Sequence, residues 1–468
     1  MIVEPILQTV AKAAAILHTT PGQLGIGTAV ILSSFFVIFA ILPGSAPTIQ
    51  VKEIPGPSGH PLIGSLFELA RCGRNGKRHE LVSRWKADYG PIFKVKMLGA
   101  TIVFVTDPMF VHNLLTDMNT FSRAGSLEIA ATGIADNALF VLASGEKWKH
   151  HRKNLQKAFS PGQTRLAAKI THDRTLSLIV KLKQAYSNKG HLEVDIHEAF
   201  TCLTLDIIGI ILFSHNFNAV DNYFSDKENV FSEVLKKTIK ILEQRISCPT
   251  ILWPLFGIGK NSPQVLKIRK YFEELLKEIK QEKRDESDQV DILKLLMDTD
   301  AENVQKFTEN EVFGEVIGFI LAGHETTSNT LAFIALELSR NMGIQAKLKK
   351  EIKTVLARVG TASVENISEF KFLDQVIKES QRLHTVATVV VRRSSQAIEH
   401  DGYLIPANAK ICGSIREIHL DPQFWAEPTV FNPDRWNDGD SIVPNSFLPF
   451  GDGPHKCIGQ KIAIVEMK

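Results

Sequence analysis

The sequence predicts a mainly α-helical protein with small β-sheets and an N-terminal transmembrane helix. Three observations support this fold class. Leu24–Leu42 is an uncharged apolar run, Thr308 to Asn341 has the pattern of one very long helix, and Pro91–Pro108 contains two β-branched runs that indicate a hairpin. The segments that follow the hairpin are predominantly helical in pattern.

Composition indicates an ordinary globular chain. The 468 residues are 44% hydrophobic and 22% charged, and the net charge of +3 is too small to indicate nucleic-acid binding. The five cysteines are scattered, which fits a reducing compartment and excludes the spacing of zinc ribbons and iron–sulfur clusters. They are Cys72, Cys202, Cys248, Cys412 and Cys457.

The N-terminal 64 residues predict attachment to a membrane. As a helix, Leu24–Leu42 would be about 28 Å long, enough to span the hydrocarbon core, and more basic residues follow it than precede it, which predicts a cytosolic body. A cleaved signal peptide is the alternative, but the run is long and starts late. Residues 1–23 are predicted to be a luminal or interfacial segment, 43–64 a proline-rich linker, and 65–468 the catalytic domain.

Two segments of the body carry less specific patterns. Trp148 and Arg152 share a helix face and together suit a carboxylate, although a solvated basic helix explains them equally well in isolation. Residues 228–284 read as two amphipathic helices joined by an apolar connection, 248–259. Exposure of Trp253 and Phe256 there would indicate contact with a membrane or a cavity entrance, and a plain core segment is the alternative.

The long helix begins with a capping-box signature, Thr308 to Glu311, and contains a small-residue interruption, Ala322–Thr327. Glycine at 323 weakens a helix and suggests close approach by another group. Thr326 is expected to bond back to an earlier carbonyl and bend the helix. An ordinary core helix is the alternative.

The loop Phe450–Gly459 is the most specific pattern. Gly451, Gly453 and Gly459 allow backbone N–H groups to approach Cys457, and these groups together with the cations His455 and Lys456, or a metal, would lower the pKa of the thiol. A buried cysteine beside a glycine turn is the alternative for this loop taken alone.

Glu379 and Arg382 form an i,i+3 pair that carries little information alone, and Phe431–Trp436 supplies a second arginine, Arg435. Between these segments, Val389–Arg393 and Tyr403–Pro406 read as strands, with a turn at Asp401–Gly402.

These motifs, in this order, resemble those of the cytochrome P-450 monooxygenases of the eukaryotic microsomal type, over about residues 50–468. The sequence departs from that pattern at His455, where arginine is usual, and at Thr385–Val386, where prolines are common. The family continues beyond the cysteine helix, so the resemblance predicts that the C-terminal end is missing. The roles implied are haem-iron ligation by Cys457, proton delivery by Thr326 and Glu325, a structural lock of Glu379, Arg382 and Arg435, and haem binding by Trp148, Arg152, Arg392, Phe450, Gly451, His455 and Gly459.

The resemblance further implies a haem b monooxygenase that inserts one oxygen atom into an apolar lipid, secondary metabolite or xenobiotic. Electrons would come from NADPH through NADPH-cytochrome P-450 reductase, with cytochrome b5 as a further donor, at the endoplasmic reticulum membrane. Segments 124–143 and 228–262 are expected to set specificity. The alternatives are an oxygen-independent isomerase or dehydratase, and a non-catalytic haem-binding membrane protein. A basic docking face for the reductase is expected at Lys147, Lys149, Lys153, Lys157, His455, Lys456 and Lys461.

Overall fold

Helices make up most of the described chain. The computed structural model describes residues 52–74, 76–97, 100–123, 126–189, 193–225, 230–248, 250–282, 291–298 and 306–468. The predicted anchor and the segment before it lie outside these residues. The helices are α1 (Leu66–Arg74), α2 (Arg78–Tyr89), α3 (Pro108–Thr116), α4 (Ser126–Ala131), α5 (Glu146–Leu155), α6 (Pro161–Lys189), α7 (Ile196–Phe213), α8 (Ala219–Phe224), α9 (Val230–Ser247), α10 (Pro263–Glu282), α11 (Ile292–Met297), α12 (Glu309–Arg340), α13 (Met342–Val359), α14 (Lys371–Leu383), α15 (Ile415–His419) and α16 (Gln460–Met467).

The strands form two small sheets. They are β1 (Ile92–Met97), β2 (Ala100–Val105), β3 (Phe121–Ser122), β4 (Val390–Ser394), β5 (Ile398–His400), β6 (Tyr403–Ile405) and β7 (Lys410–Gly413). The larger sheet has the order β1-β2-β7-β4-β3, and β5 and β6 form a separate hairpin. The predicted hairpin is confirmed as the antiparallel pair β1–β2, and β2 also pairs in parallel with β7.

The predicted turn between β5 and β6 is present. Asp401 and Gly402 both have positive φ, 51° and 76°, which is the backbone conformation of a tight two-residue hairpin turn.

The long helix α12 is confirmed, including both hydrogen bonds of its capping box at Thr308 and Glu311. It runs without interruption through the small-residue segment Ala322–Thr327, as the predicted single helix requires. At its centre it packs closely on α7, because a Cβ on Gly323 would lie 2.8 Å from the side chain of Ile208. The hydroxyl of Thr204 on α7 also donates to the carbonyl of His324 at 2.9 Å.

One described helix, α7, is long and apolar enough to cross a membrane by composition, but 67% of it is buried within the body. It packs between α6 and α12, and this position accounts for its apolar sequence.

The proline-rich segment packs on the body before α1 begins. The N–H of Lys94 in β1 donates to the carbonyl of Pro55 at 2.7 Å, and the N–H of Ser65 donates to the carbonyl of Lys96 at 2.9 Å. Residues 55–65 therefore follow the edge of β1.

Candidate functional site

The loop from Phe450 to Gly459 forms a tight turn that presents Cys457. Gly451 and Gly453 have positive φ, 68° and 65°, and the N–H of Cys457 donates to the carbonyl of Phe450 at 3.0 Å. A Cβ on Gly453 would lie 2.2 Å from the carbonyl oxygen of Leu115 in α3, so α3 excludes a side chain there. The loop ends where α16 begins, at Gln460.

Cys457 lines a cavity of about 820 Å³. Solvent reaches the side chain from the cavity, yet the protein atoms around the thiol raise its pKa above the usual value, and the N–H groups of Gly459 and Gln460 and the charge of Arg152 lower the pKa only in part. Backbone N–H groups and the cation Lys456, which were predicted to favour the thiolate, are therefore present, but the protein alone does not bring the pKa of Cys457 below normal. A bound metal would supply the remaining stabilisation.

Four arginines line the same cavity, and three of them, Arg123, Arg152 and Arg392, concern the cysteine site; the fourth is Arg245. Burial lowers the pKa of Arg123 to about 9, with repulsion from Arg392 and Arg152 adding to the effect, and burial lowers that of Arg392 to about 10. The Nη1 of Arg123 donates to the carbonyls of Leu139 and Phe140 at 3.1 and 3.0 Å. Within the described residues, none of the three arginines forms an ion pair with a carboxylate. This part of the cavity is therefore suited to a ligand that carries negative charge.

His455 lies beside these arginines and is not a cation. Burial, followed by repulsion from Arg123, Arg392 and Arg152, lowers its pKa to about 3. Its ring centroid is 3.9 Å from that of Trp148, and its Nε2 is 2.9 Å from the hydroxyl of Ser144. The predicted positive charge of His455 is therefore wrong at neutral pH.

The two residues predicted to deliver protons lie on different sides of α12. Thr326 lines the main cavity, and its hydroxyl donates to the carbonyl of Ala322 at 2.9 Å, which confirms the predicted back-bond. Glu325 lines a separate cavity of about 50 Å³ with His197 and Lys236. Glu325 is not among the residues that line the main cavity. Burial raises the pKa of Glu325.

The residues Glu379, Arg382 and Arg435, here called the glutamate–arginine lock, form one buried network. Both carboxylate oxygens of Glu379 accept from Arg382, at 2.8 and 3.0 Å, and one of them accepts from the Nε of Arg435 at 3.0 Å. The N–H of Asn432 and the indole N–H of Trp436 also donate to Glu379, each at 3.0 Å. Glu379 and Arg382 are fully buried.

The rest of the main cavity is largely apolar. Its lining includes residues from the two segments expected to set specificity, among them Ile129, Phe140 and Ile246. In the connection between α9 and α10, Trp253 is buried and its indole N–H donates to the carbonyl of Cys248 at 2.9 Å, whereas Phe256 is exposed. Of the two aromatic residues singled out in this connection, one is therefore a core residue and the other lies on the surface.

Sequence reasoning missed several residues of the site. Arg123 follows a two-residue strand and has no neighbouring motif, so no local signal marks it. Trp436 and Asn432 lie in a segment that the sequence did single out, but their bonds to Glu379 depend on the tertiary fold. The buried pair His151 and Glu315 also joins two elements that are distant in sequence.

A cysteine on a glycine turn, uncompensated arginines and a threonine-bearing long helix around one cavity define a haem-thiolate type of site. The comparisons with known proteins agree: residues 54–468 match the family model "Cytochrome P450", and the chain belongs to this family. Members of the family bind haem through a cysteine thiolate and are monooxygenases.

Three curated relatives show the extent of the similarity. Cytochrome P450 3A18 of Rattus norvegicus is 27% identical over 95% of this chain and 90% of its own length. Cytochrome P450 3A56 of Fundulus heteroclitus is 26% identical over 93% of this chain and 88% of its own length. Cytochrome P450 3A31 of Mesocricetus auratus is 27% identical over 95% of this chain and 89% of its own length.

Proposed function

We propose that this chain inserts one oxygen atom from O₂ into an apolar small molecule, with Cys457 as the single protein ligand to the iron of haem b. The observation that carries this proposal is that one cavity is lined by Cys457 and by Arg123, Arg152 and Arg392, which have no carboxylate partner among the described residues. A dianionic, largely apolar group with a metal at its centre fits that combination, and the neutral His455 and the ring of Trp148 would pack against it.

Arg123, Arg152 and Arg392 would hold the two propionates of the haem, because bidentate arginine–carboxylate contacts offset the cost of burying both charges. Phe450, Gly451 and Gly459 would contact the group on the cysteine side. When bound, haem supplies oxygen activation, and its cysteine ligand favours O–O cleavage. The protein supplies position and electrostatics.

The hydroxyl of Thr326 is suited to hold a water or a proton at the cavity side of α12. Glu325 would supply protons from the smaller cavity on the other side of the helix, and its raised pKa favours the protonated form. The two residues would then act from different compartments of the protein rather than as neighbours in one cavity.

The substrate is expected to be an apolar lipid, secondary metabolite or xenobiotic. The main cavity has the size of sites that bind small molecules, and Phe140, Phe159 and Phe319 contribute apolar surface to its wall. Such a surface gains free energy by removing apolar ligand area from water.

Association with the endoplasmic reticulum membrane, with the body in the cytosol, rests on Leu24–Leu42. A second feature supports contact with lipid. In the connection between α9 and α10, the exposed fractions of Ile251, Leu255 and Phe256 are 85%, 79% and 61%, and apolar side chains so exposed on one short connection favour an interface.

The electron donor is expected to be NADPH-cytochrome P-450 reductase, with cytochrome b5 as a further donor. Of the basic face predicted from the sequence, Lys147 and Lys149 are paired with Glu311 and Glu146, and His455 is neutral. Four lysines of this face are exposed and form no ion pair with another described residue: Lys153, Lys157, Lys456 and Lys461. Phe159 lies 3.8 Å from the Cβ position of Gly459, so residues 153–159 and the cysteine loop form one surface.

Stopped-flow reduction by the reductase across a salt series tests this docking surface. Charge complementarity raises association rates and weakens with salt, so Lys153→Glu with Lys456→Glu should slow reduction at low salt and flatten its salt dependence. The control pair Lys267→Glu and Lys277→Glu changes the charge equally on α10. Equal salt dependence in both variants would exclude the proposed surface.

The carbon monoxide difference spectrum of the reduced protein tests the haem-thiolate assignment. Cys457→Ala is expected to abolish the thiolate-type Soret band. Cys248→Ala, which removes another cysteine from the lining of the same cavity, is expected to leave the band unchanged. A thiolate-type band that survives in Cys457→Ala contradicts the proposal.

A further inference from the structure

A buried histidine–glutamate pair joins α5 to α12 next to the proposed haem site. The Nδ1 of His151 is 2.6 Å from the Oε1 of Glu315, and each side chain is 1% exposed. Phe307 packs edge-on to the ring of His151 at 5.0 Å. The pair is therefore shielded from bulk water and tightly hydrogen-bonded.

The two members of the pair face different parts of the protein. Glu315 lines the main cavity. The Nε2 of His151 is buried and has no hydrogen-bond partner among the described residues. It lies 3.5 Å from the Oε1 of Glu311, whose side chain is 16% exposed. Burial raises the pKa of Glu311, but hydrogen bonds from Thr308 and Lys147 outweigh this effect and lower the pKa to about 2. A permanent carboxylate at the protein surface therefore lies beside one end of the pair, and the cavity lies beside the other.

A purely structural role does not account for this arrangement. Two helices pack at least as well through apolar side chains, because burying two ionisable groups costs desolvation free energy that the attraction between them often does not offset. Burial raises the pKa of Glu315. A neutral pair, in which Glu315 carries the shared proton, therefore has the lower desolvation cost.

We propose that His151 and Glu315 carry protons between the protein surface at Glu311 and the main cavity, by a route separate from Thr326 and Glu325. The inference rests on the proposed function in so far as the cavity is where oxygen is activated. Glu315 releases its proton to water in the cavity. The imidazole then rotates, so that its N–H faces the carboxylate of Glu315, and its other nitrogen takes a proton from solvent on the Glu311 side. The imidazolium formed in this way gives its first N–H proton to Glu315, which restores the neutral pair. One proton enters for each proton that leaves, and no electron is transferred.

The exchange of the Glu315 proton for deuterium tests this route directly. The haem-loaded full chain is mixed rapidly with D₂O, and infrared spectroscopy follows the C=O stretch of the protonated carboxyl group, which Glu315→Gln identifies by removing it. The measurement is made with an apolar ligand bound in the main cavity, so that water does not reach Glu315 from that side. In His151→Gln the exchange is then expected to slow by about a hundredfold, the lower end of the effect of a positioned proton-transfer group. Equal exchange rates in the wild type and His151→Gln overturn the proposal, and so does the lack of a carboxyl band that Glu315→Gln removes.

A second variant, Glu311→Gln, tests the route without changing the buried residues His151 and Glu315. Glu311→Gln preserves the capping box, because glutamine also reaches back to the N-cap, but it removes the surface carboxylate, so exchange should again slow. Glu309→Gln removes the other, exposed carboxylate of the first turn of α12 and is expected to leave the exchange rate unchanged, so equal slowing in both variants overturns the proposal. The carbon monoxide spectrum is recorded on each variant, and a normal spectrum with unchanged exchange refutes the proton route without touching the haem-thiolate assignment.

Discussion

Replacing Glu379 by alanine is expected to prevent accumulation of haem-loaded protein rather than merely slow turnover. Glu379 is fully buried and accepts hydrogen bonds from Arg382, Arg435, Trp436 and the backbone of Asn432. Its loss leaves the guanidinium of Arg382 fully buried without its carboxylate. Breaking a buried charge pair in this way costs about 3–5 kcal/mol. Because a typical domain is stable by only about 5–15 kcal/mol, that loss removes a large share of the folded population.

Two further variants distinguish the lost charge from lost volume. Glu379→Gln keeps nearly the same shape and one acceptor oxygen but not the charge, so we expect it to lose most of the same free energy of unfolding. Glu233→Ala breaks the exposed i,i+4 pair with Lys237 on α9 and should change the free energy of unfolding far less, because solvent screens the pair. Urea unfolding and the ratio of haem to protein are measured on all three variants. A Glu379→Ala protein with normal yield and a normal unfolding midpoint would refute the reasoning.

Two other features make predictions about stability, each measured by urea unfolding. Burial lowers the pKa of His324 from 6.5 to about 4, so the stability that the neutral imidazole contributes is present above pH 6.5 and lost as the pH falls towards 4. As the pH falls from about 7.5 to about 5.5, the free energy of unfolding of His324→Gln should therefore decrease by about 1 kcal/mol less than that of the wild type. In the exposed control His172→Gln it should decrease by as much as in the wild type. Equal decreases in His324→Gln and the wild type would contradict the prediction. Gly314→Ala should lower the free energy of unfolding by about 1–3 kcal/mol, because its Cβ would lie 1.7 Å from the carbonyl oxygen of Asp136. The control Gly343→Ala, which has open space around it, should raise the free energy of unfolding by up to about 1 kcal/mol. An unchanged free energy of unfolding in Gly314→Ala would show that α12 can shift away from Asp136.

Features that depend on local sequence were predictable. The capping box at Thr308 and Glu311, the β1–β2 hairpin and the turn at Asp401–Gly402 each follow from a few adjacent residues, and the structure confirms them. The membership of the family was predictable because its motifs are ordered along the chain.

Features that sum contributions from distant segments were not predictable. The charge state of His455 depends first on burial and then on three arginines from three different elements, whereas the local sequence predicts a cation. The pKa of Cys457 depends on the density of protein around it as well as on the adjacent N–H groups. Arg123 joins the site only because the sheet brings β3 and β4 together. These are properties of the assembled cavity, and no single motif encodes them.

The parallel pairing of β2 with β7 has a consequence for synthesis of the protein. β2 comprises Ala100–Val105, and its partner Lys410–Gly413 leaves the ribosome only after all the residues between them. Throughout translation of the intervening helices, the β1–β2 hairpin has an open, apolar, β-branched edge of the kind that pairs with other chains. β2 and β7 can pair only after the intervening residues have been synthesised, and strand pairing across such a long sequence separation is a slow step. A ribosome that stalls between β2 and β7 would therefore release a chain whose hairpin edge is free to aggregate.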